Sequence, residues 1–469
     1  MSDQTEERSA TQAPPSVWRE VVALAVPVTA QAVIMSLLML TDQLLVGQLG
    51  DVAIAAVGIV SKITAILTVA LTGLATATSI FCSQFLGGGQ RDQVHRVFGV
   101  ALRFGIALTI VMVAVCILWP QVLVWPFTSD PALIAAASSF LRIVAVGYLP
   151  TMATLLYAAL LRSDKVVKLA MYAGVVAVVL NLVLDYLLIF GMFGAPRWGL
   201  EGAGVATTVA RYVEFAVILV VSYRTGNVAA IRRWSDLKST DPGIRKRFLI
   251  VALPLALNEF LWILGESTYA GVYGRMGTHA LAAMGMTFPL QGLSIGLMSG
   301  LSAAAAVLVG QHLGRGDVAH ATSLARKLLL LSMGASGALG LLIAIGAPWY
   351  AALYALSPDT GQMAIVCLLV FSGFLFVKVA NMVLGSVLNS GGDSRFILVM
   401  ESSATWFVGV PLAIIAAFVL RLPIGWVYFL LSIEEVLRLV VGYVRFRTGR
   451  WARNLAVPAD EADPVLNPV

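Results

Sequence analysis

Charge is what this 469-residue sequence has least of: only 12% of its residues are Asp, Glu, Lys or Arg. A soluble domain carries about twice that share, so this chain cannot cover a water-facing surface. With 59% hydrophobic residues and a mean hydropathy of +0.89, it reads as a polytopic membrane protein. Cysteine is also scarce. Cys82, Cys116 and Cys367 lie inside apolar runs without CxxC spacing, which speaks against a disulfide framework or a thiolate metal site. The four histidines, His95, His279, His312 and His320, fall in loops or at span ends without ligand spacing, so no metal or cofactor is expected. A Walker A sequence is missing, which argues against ATP as an energy source. The one glycine-rich candidate, GLEGAG at 199–204, has no strand before it. No enzyme is expected. The net charge of +6 sits in short loops between apolar runs, a topology signal and not the mark of a nucleic-acid partner.

What is present is a series of apolar runs, near 21–46, 52–82, 97–119, 132–160, 168–192, 200–222, 248–273, 279–309, 328–346, 362–388, 396–420 and 423–444. At roughly 20 residues per crossing, these predict twelve transmembrane helices and an all-α membrane protein. The basic segment from Tyr223 to Arg247 divides them six and six. The expected domains are a disordered tail over 1–18, an N-terminal six-helix lobe over 19–223 and a linker over 224–246. A C-terminal six-helix lobe over 247–448 and a tail over 449–469 complete the chain. Among loops and flanks, Arg197, Arg275 and Arg421 stand alone on one side. Clusters such as Arg162, Lys165 and Lys168, or Arg245, Lys246 and Arg247, gather on the other. That bias places both termini and the linker in the cytoplasm, in the inner or plasma membrane of a cell.

The two halves repeat. Pro27, Thr41, Gly47, Gly73, Gln84 and Gly87 match Pro254, Thr268, Gly274, Gly300, Gln311 and Gly314 at one constant offset of 227 residues. Six spans per half is an even number, so the halves are parallel repeats about an axis along the membrane normal. Such architectures place the substrate path between their halves.

The stretches TDQLLVGQLGDVAIAAVG and ESTYAGVYGRMGTHALAAMG, the SQFLGGGQ and GQHLGRGD turns, and LNSGGDSRF resemble MATE (multidrug and toxic compound extrusion) transporters over roughly residues 18 to 448. The resemblance implies two six-helix lobes forming a V and export of substrates in exchange for protons or sodium ions. The DinF-like branch carries an aspartate in the first helix and an Asn-xxx-Asp in the fifth, here Asp42, Asn181 and Asp185. The NorM-like and eukaryotic branches use a mid-depth glutamate in the seventh helix, a place that Trp262 holds here, with Glu259 and Glu266 on either side.

The residues support the same assignment. A carboxylate inside a membrane-length apolar segment costs several kcal/mol, so it needs a partner or a job. Asp42 lies about 23 residues, roughly 35 Å, along its helix from Arg19, and Asp185 about 25 Å from Lys168. Both then fall in the outer half of the first lobe, where they can meet and take up a cation. Asn181 is one turn from Asp185 on the same face. Lys62, Tyr148 and Thr207 are candidate supporting groups. Glu259 and Glu266, two turns apart, together with Lys378, are a candidate substrate-facing patch in the second lobe. Arg211 and Glu214 read as a local ion pair, as do Glu434, Glu435 and Arg438. Pro27 is the expected flex point of the first helix. The expected function is cation-coupled antiport of organic, cationic or amphipathic small molecules by a monomer. A lipid-linked precursor flippase of the same superfamily is the alternative.

Overall fold

An apolar segment in hydrocarbon has no water to take its backbone N–H and C=O groups, so it closes its own hydrogen bonds as a helix. The computed structural model describes residues 17–231, 237, 242–354 and 357–457, and among these no residue is in a strand. The N-terminal lobe holds Val17–Gly47, Asp51–Gly87, Arg91–Leu118, the pair Pro131–Val146 and Tyr148–Ser163, Val167–Phe190 and Leu200–Thr225. The C-terminal lobe holds Pro242–Met276, Thr278–Gly314, Val318–Ala352, Pro358–Ser390, Ser394–Val419 and Ile424–Arg447.

Three of these twelve spans depart from a plain apolar helix. The fourth bends by 46° at Gly147. Pro150 supplies no N–H there, and its ring crowds the carbonyl one turn back. The twelfth carries Glu434, Glu435 and Arg438 near its middle, so its hydropathy alone would not single it out as a span. In the eleventh, π-type turns at Ala404–Gly409 and Ile415–Val419 flank Pro411.

The lobes meet reciprocally at the end of the molecule that holds the termini. Gly87 packs on the backbone of Gln311, and Gly314 packs on the backbone of Gln84. Gln84 Nε2 donates to Ser390 O at 2.6 Å, and Gln311 Nε2 donates to Ser163 O at 2.8 Å. Each of these partners is related to its counterpart by the 227-residue offset, so the seam is self-complementary, as a two-fold interface must be. A β-carbon at either glycine would collide with facing backbone, which is why the approach requires glycine there. Nearer mid-depth, Gly300 packs against Ala25 and Thr29, and Gly73 against Ala256, again as counterparts. Thr29 Oγ1 donates to Leu297 O at 3.1 Å.

Beyond that level the buried cores separate. Val46, Ala53, Cys116, Leu141 and Ile189 cluster within the first lobe, and Tyr269, Met284, Phe371 and Leu431 within the second. The molecule is therefore a V, closed at the end of the termini and open at the other.

Both expected connecting segments are partly docked. Helix begins at Val17, and the remainder of the 1–18 tail lies outside the described residues. In the linker, Ala229, Ala230 and Ile231 are buried. The carbonyl of Val228 bonds His95 Nε2 at 2.9 Å. The tail after 449 is not open where it is described. Trp451 is fully buried and stacks on Phe446 with centroids 5.4 Å apart. The Leu455 N–H donates to Gln84 Oε1, and Asn454 Nδ2 donates to Gly314 O at 3.4 Å. A large aromatic gains enough from burial to seat a short segment, and this one bridges both lobes. Residues beyond 457 lie outside the described residues.

Candidate functional site

The first and fifth spans pack side by side in the N-terminal lobe. Their contact brings the carboxyl groups of Asp42 and Asp185 close enough to act on each other electrostatically. A carboxylate only accepts, so two carboxyls can face each other in this way only through a shared proton or a bound cation. Asp185 and Asn181 are each 2% exposed, inside protein and away from lipid. Asp42 Oδ1, Asp185 Oδ1 and Asn181 Nδ2 are buried without a hydrogen-bond partner among the described residues. Folded proteins leave few buried polar atoms unpaired, and three converging on one site call for a ligand or a transferable proton.

A cation other than the one expected acts on Asp42. Lys62 is exposed on the second span and has no ion pair among the described residues. Arg211 on the sixth span acts electrostatically on Asp42 while its Nη1 holds Glu214 Oε2 at 2.9 Å. The local Arg211–Glu214 pair is thus present, and it also reaches the aspartates. Tyr148 also turns elsewhere, its hydroxyl sharing a 2.7 Å hydrogen bond with Thr64 Oγ1. Thr207 makes no side-chain hydrogen bond among the described residues, whereas its neighbour Thr208 donates to Ile143 O at 3.0 Å.

Below the aspartates, toward the closed end, lies a cavity of about 290 Å³ lined by Gln31, Met35, Thr154, Arg162, Arg211 and Glu214. Met35 is two helical turns from Asp42 on one face of the first span. Arg211 therefore belongs both to the cavity wall and to the surroundings of Asp42. Sequence reading assigned Arg211 to a local pair and Arg162 to a loop flank. Its clue was the mid-depth position of Arg211, since an ionisable group in a span is a functional candidate by default.

The C-terminal lobe holds a different arrangement. Lys378 Nζ does not pair with Glu259 or Glu266; it binds Glu435 Oε1 at 2.8 Å. Arg438 reaches Glu401 at 3.4 Å, Glu435 at 3.5 Å and Glu434 at 3.8 Å, so the pairing expected within the twelfth span extends to the tenth and eleventh. Each of these acids also has a neutral donor. Asn258 Nδ2 donates to Glu401 at 2.6 Å, the Tyr269 hydroxyl to Glu434 at 2.7 Å and Asn381 Nδ2 to Glu435 at 2.8 Å. Gly409, beside the Tyr269–Glu434 contact, leaves the room it needs. Glu401 was not singled out from sequence, although it too is a carboxylate within a span. Glu259 is half-buried and Glu266 is exposed, and neither makes an ion pair or hydrogen bond among the described residues. Glu266 and Lys378 line one small cavity of about 30 Å³.

Two six-span lobes about a common axis, closed at one end and carrying buried carboxylates beside a cavity, define a secondary membrane carrier. The chain belongs to the MatE family of transporters, whose profile matches residues 27–187 and again 254–415. The second match starts 227 residues after the first, at the proline of the repeat. Similar proteins include the uncharacterized transporter YisQ of Bacillus subtilis, 24% identical over 87% of this chain and 90% of its own. A probable multidrug resistance protein NorM of Thermotoga maritima is 22% identical over 94% of each chain. Multidrug resistance protein MdtK of Yersinia pseudotuberculosis is 27% identical over 84% of this chain and 86% of its own. Among solved structures, a mutant of the Vibrio cholerae MATE transporter VcmN matches with a TM-score of 0.86 and 18% identity, covering 94% of this chain and 98% of that one. A MATE structure in the bent conformation matches at 0.85 and 20% identity, over 92% and 95%.

Proposed function

We propose that this protein is an antiporter that exports organic, cationic or amphipathic small molecules in exchange for protons or sodium ions, and that Asp42, Asp185 and Asn181 bind the coupling ion. The observation that carries this reading is the convergence of the two carboxyls with three unpartnered polar atoms inside the first lobe. Relatives named for multidrug resistance support the substrate class.

Arg211 supplies the coupling. With the aspartates ionised, their charge and Glu214 compete for the same guanidinium. Neutralising the pair leaves Arg211 to Glu214 alone, which alters the charge presented to a substrate in the cavity. The first span repacks at the same time, with Pro27 as the flex point, because the proline leaves the helix short of one backbone hydrogen bond. Pro27 is buried between Ala25 and Thr29, the two residues that meet Gly300 across the seam. A change of bend there moves the contact that holds the lobes together. Substrate leaves through the open mouth, the ion-loaded carrier turns to the opposite face, and the ion is released there. The termini face the cytoplasm in this scheme.

The test is transport in vesicles with an imposed pH or sodium gradient and a fluorescent organic cation. Export that follows one gradient and collapses to background in Asp42→Asn and Asp185→Asn is the expected result. Full export in either variant would remove the coupling role.

A further inference from the structure

Another cavity plays no part in the site above. It has a volume of about 620 Å³ and lies between the seventh span, Pro242–Met276, and the eleventh, Ser394–Val419, near the closed end. The seventh span meets the N-terminal lobe at Ala256, which packs on Gly73, whereas Leu253 and Leu257 on the groove side stay exposed.

Its two ends differ in chemistry. Arg245, Lys246 and Arg395 form the rim nearest the termini, no acidic side chain lines the groove, and all three bases are exposed. None of the three has an ion pair or a hydrogen bond among the described residues. From that rim the wall is apolar: Leu253 is 63% exposed and Leu257 is 47% exposed, with Leu249 and Leu398 beside them. Between Lys246 and Leu257 a helix rises about 16 Å, close to one leaflet of a roughly 30 Å hydrocarbon core. A cationic rim at headgroup level above an apolar slot one leaflet deep is complementary to a molecule with an anionic head and hydrocarbon tails. Basic pockets between spans on the cytoplasmic side select anionic lipids for this reason.

We infer that the groove between the seventh and eleventh spans is a binding site for an anionic phospholipid, its phosphate held by Arg245, Lys246 and Arg395 and an acyl chain laid along Leu249, Leu253 and Leu257. Pro254 lines the same groove. The proline removes one backbone hydrogen bond from the seventh span and crowds the carbonyl of Ile250. Its neighbour Ala256 meets Gly73 across the interlobe seam. An acyl chain packed beside Pro254 thus touches the helix that carries half of the seam. Pro254 is the repeat counterpart of Pro27, so one proline serves the ion site and the other faces the lipid.

The experiment uses the full-length protein purified in detergent, with native mass spectrometry counting retained lipid during titration with phosphatidylglycerol or phosphatidylcholine of matched acyl chains. Each rim charge is worth roughly a factor of five toward an anionic headgroup, so Arg245→Gln, Lys246→Gln and Arg395→Gln combined should weaken phosphatidylglycerol binding about 100-fold. Phosphatidylcholine binding should stay unchanged. Leu253→Trp, which fills the slot and keeps the rim, should also lose phosphatidylglycerol. A control pair, Arg447→Gln with Arg450→Gln, should retain it, and an unchanged melting temperature in detergent should show that each variant is folded. Equal loss in the control pair, retention by the triple variant, or displacement of the lipid by inorganic phosphate alone would overturn the proposal. The last result would mark a free-anion site. None of these readouts depends on transport.

Discussion

The two lobes descend from one repeated plan, yet they treat buried charge in opposite ways. In the C-terminal lobe, Glu401, Glu434 and Glu435 each have a cation within 4 Å and a neutral donor. In the N-terminal lobe, Asp42 and Asp185 face each other, and each keeps an oxygen without a partner. The position that holds Asp42 in the first half holds Tyr269 in the second, and Tyr269 spends its hydroxyl on Glu434. A buried charge network with all its acids paired has nothing left to offer a ligand, so it fixes structure. An acid pair with unpaired oxygens still has room for a proton or cation, which is what the proposed coupling role requires. The closed end shows the opposite relation, for there the halves remain near copies: Gln84 and Gln311 make counterpart bonds to Ser390 and Ser163. The halves diverge in their buried charge and stay alike at the seam.

The largest effect that would sharpen this contrast is loss of coupling. Asp42→Asn or Asp185→Asn should bring gradient-driven export to background while expression and melting temperature stay near those of the parent protein. Next comes stability. Lys378→Ala removes the closer cation of Glu435, leaving it Arg438 and Asn381, and should cost roughly 1–3 kcal/mol, whereas Lys378→Met with Glu435→Leu should be nearly neutral. Denaturation in detergent measures both. A stable Lys378→Ala protein that no longer transports would break the comparison, since it would put function in the paired lobe.

Effects of similar size concern the seam. Gln84→Ala and Gln311→Ala each remove a buried cross-lobe hydrogen bond and should destabilise the closed end by about 1–3 kcal/mol. Gln84→Ala should cost more, because Gln84 also accepts from Leu455 in the docked tail. Distances between labels on opposite lobes at that end should broaden in the same order. Equal broadening would make the tail irrelevant to the seam. Smallest is Glu266→Gln, whose carboxyl makes no pair; its stability should change by less than about 0.5 kcal/mol. A large loss of export in that variant would bring the second lobe into substrate handling.

Much of this was legible before any coordinates. Scarcity of charge, twelve apolar runs and a constant 227-residue offset determine an all-helical membrane protein of two parallel halves, because lipid permits the backbone few other solutions. The depths of Asp42 and Asp185 follow from helical rise, and their meeting needed only that the first and fifth spans be neighbours. Tertiary structure alone decided which groups pair. Lys62 and Arg211 are both cations in the first lobe's spans, yet among the described residues it is Arg211 that acts on Asp42. Lys378 had Glu259 and Glu266 within its lobe and took Glu435 from another helix. Pairing depends on the rotation of each helix about its axis and on which faces pack, and a glycine such as Gly409 or Gly314 can settle that by letting one backbone come close. Hydropathy records how deep a residue lies; it carries no record of which way the residue points.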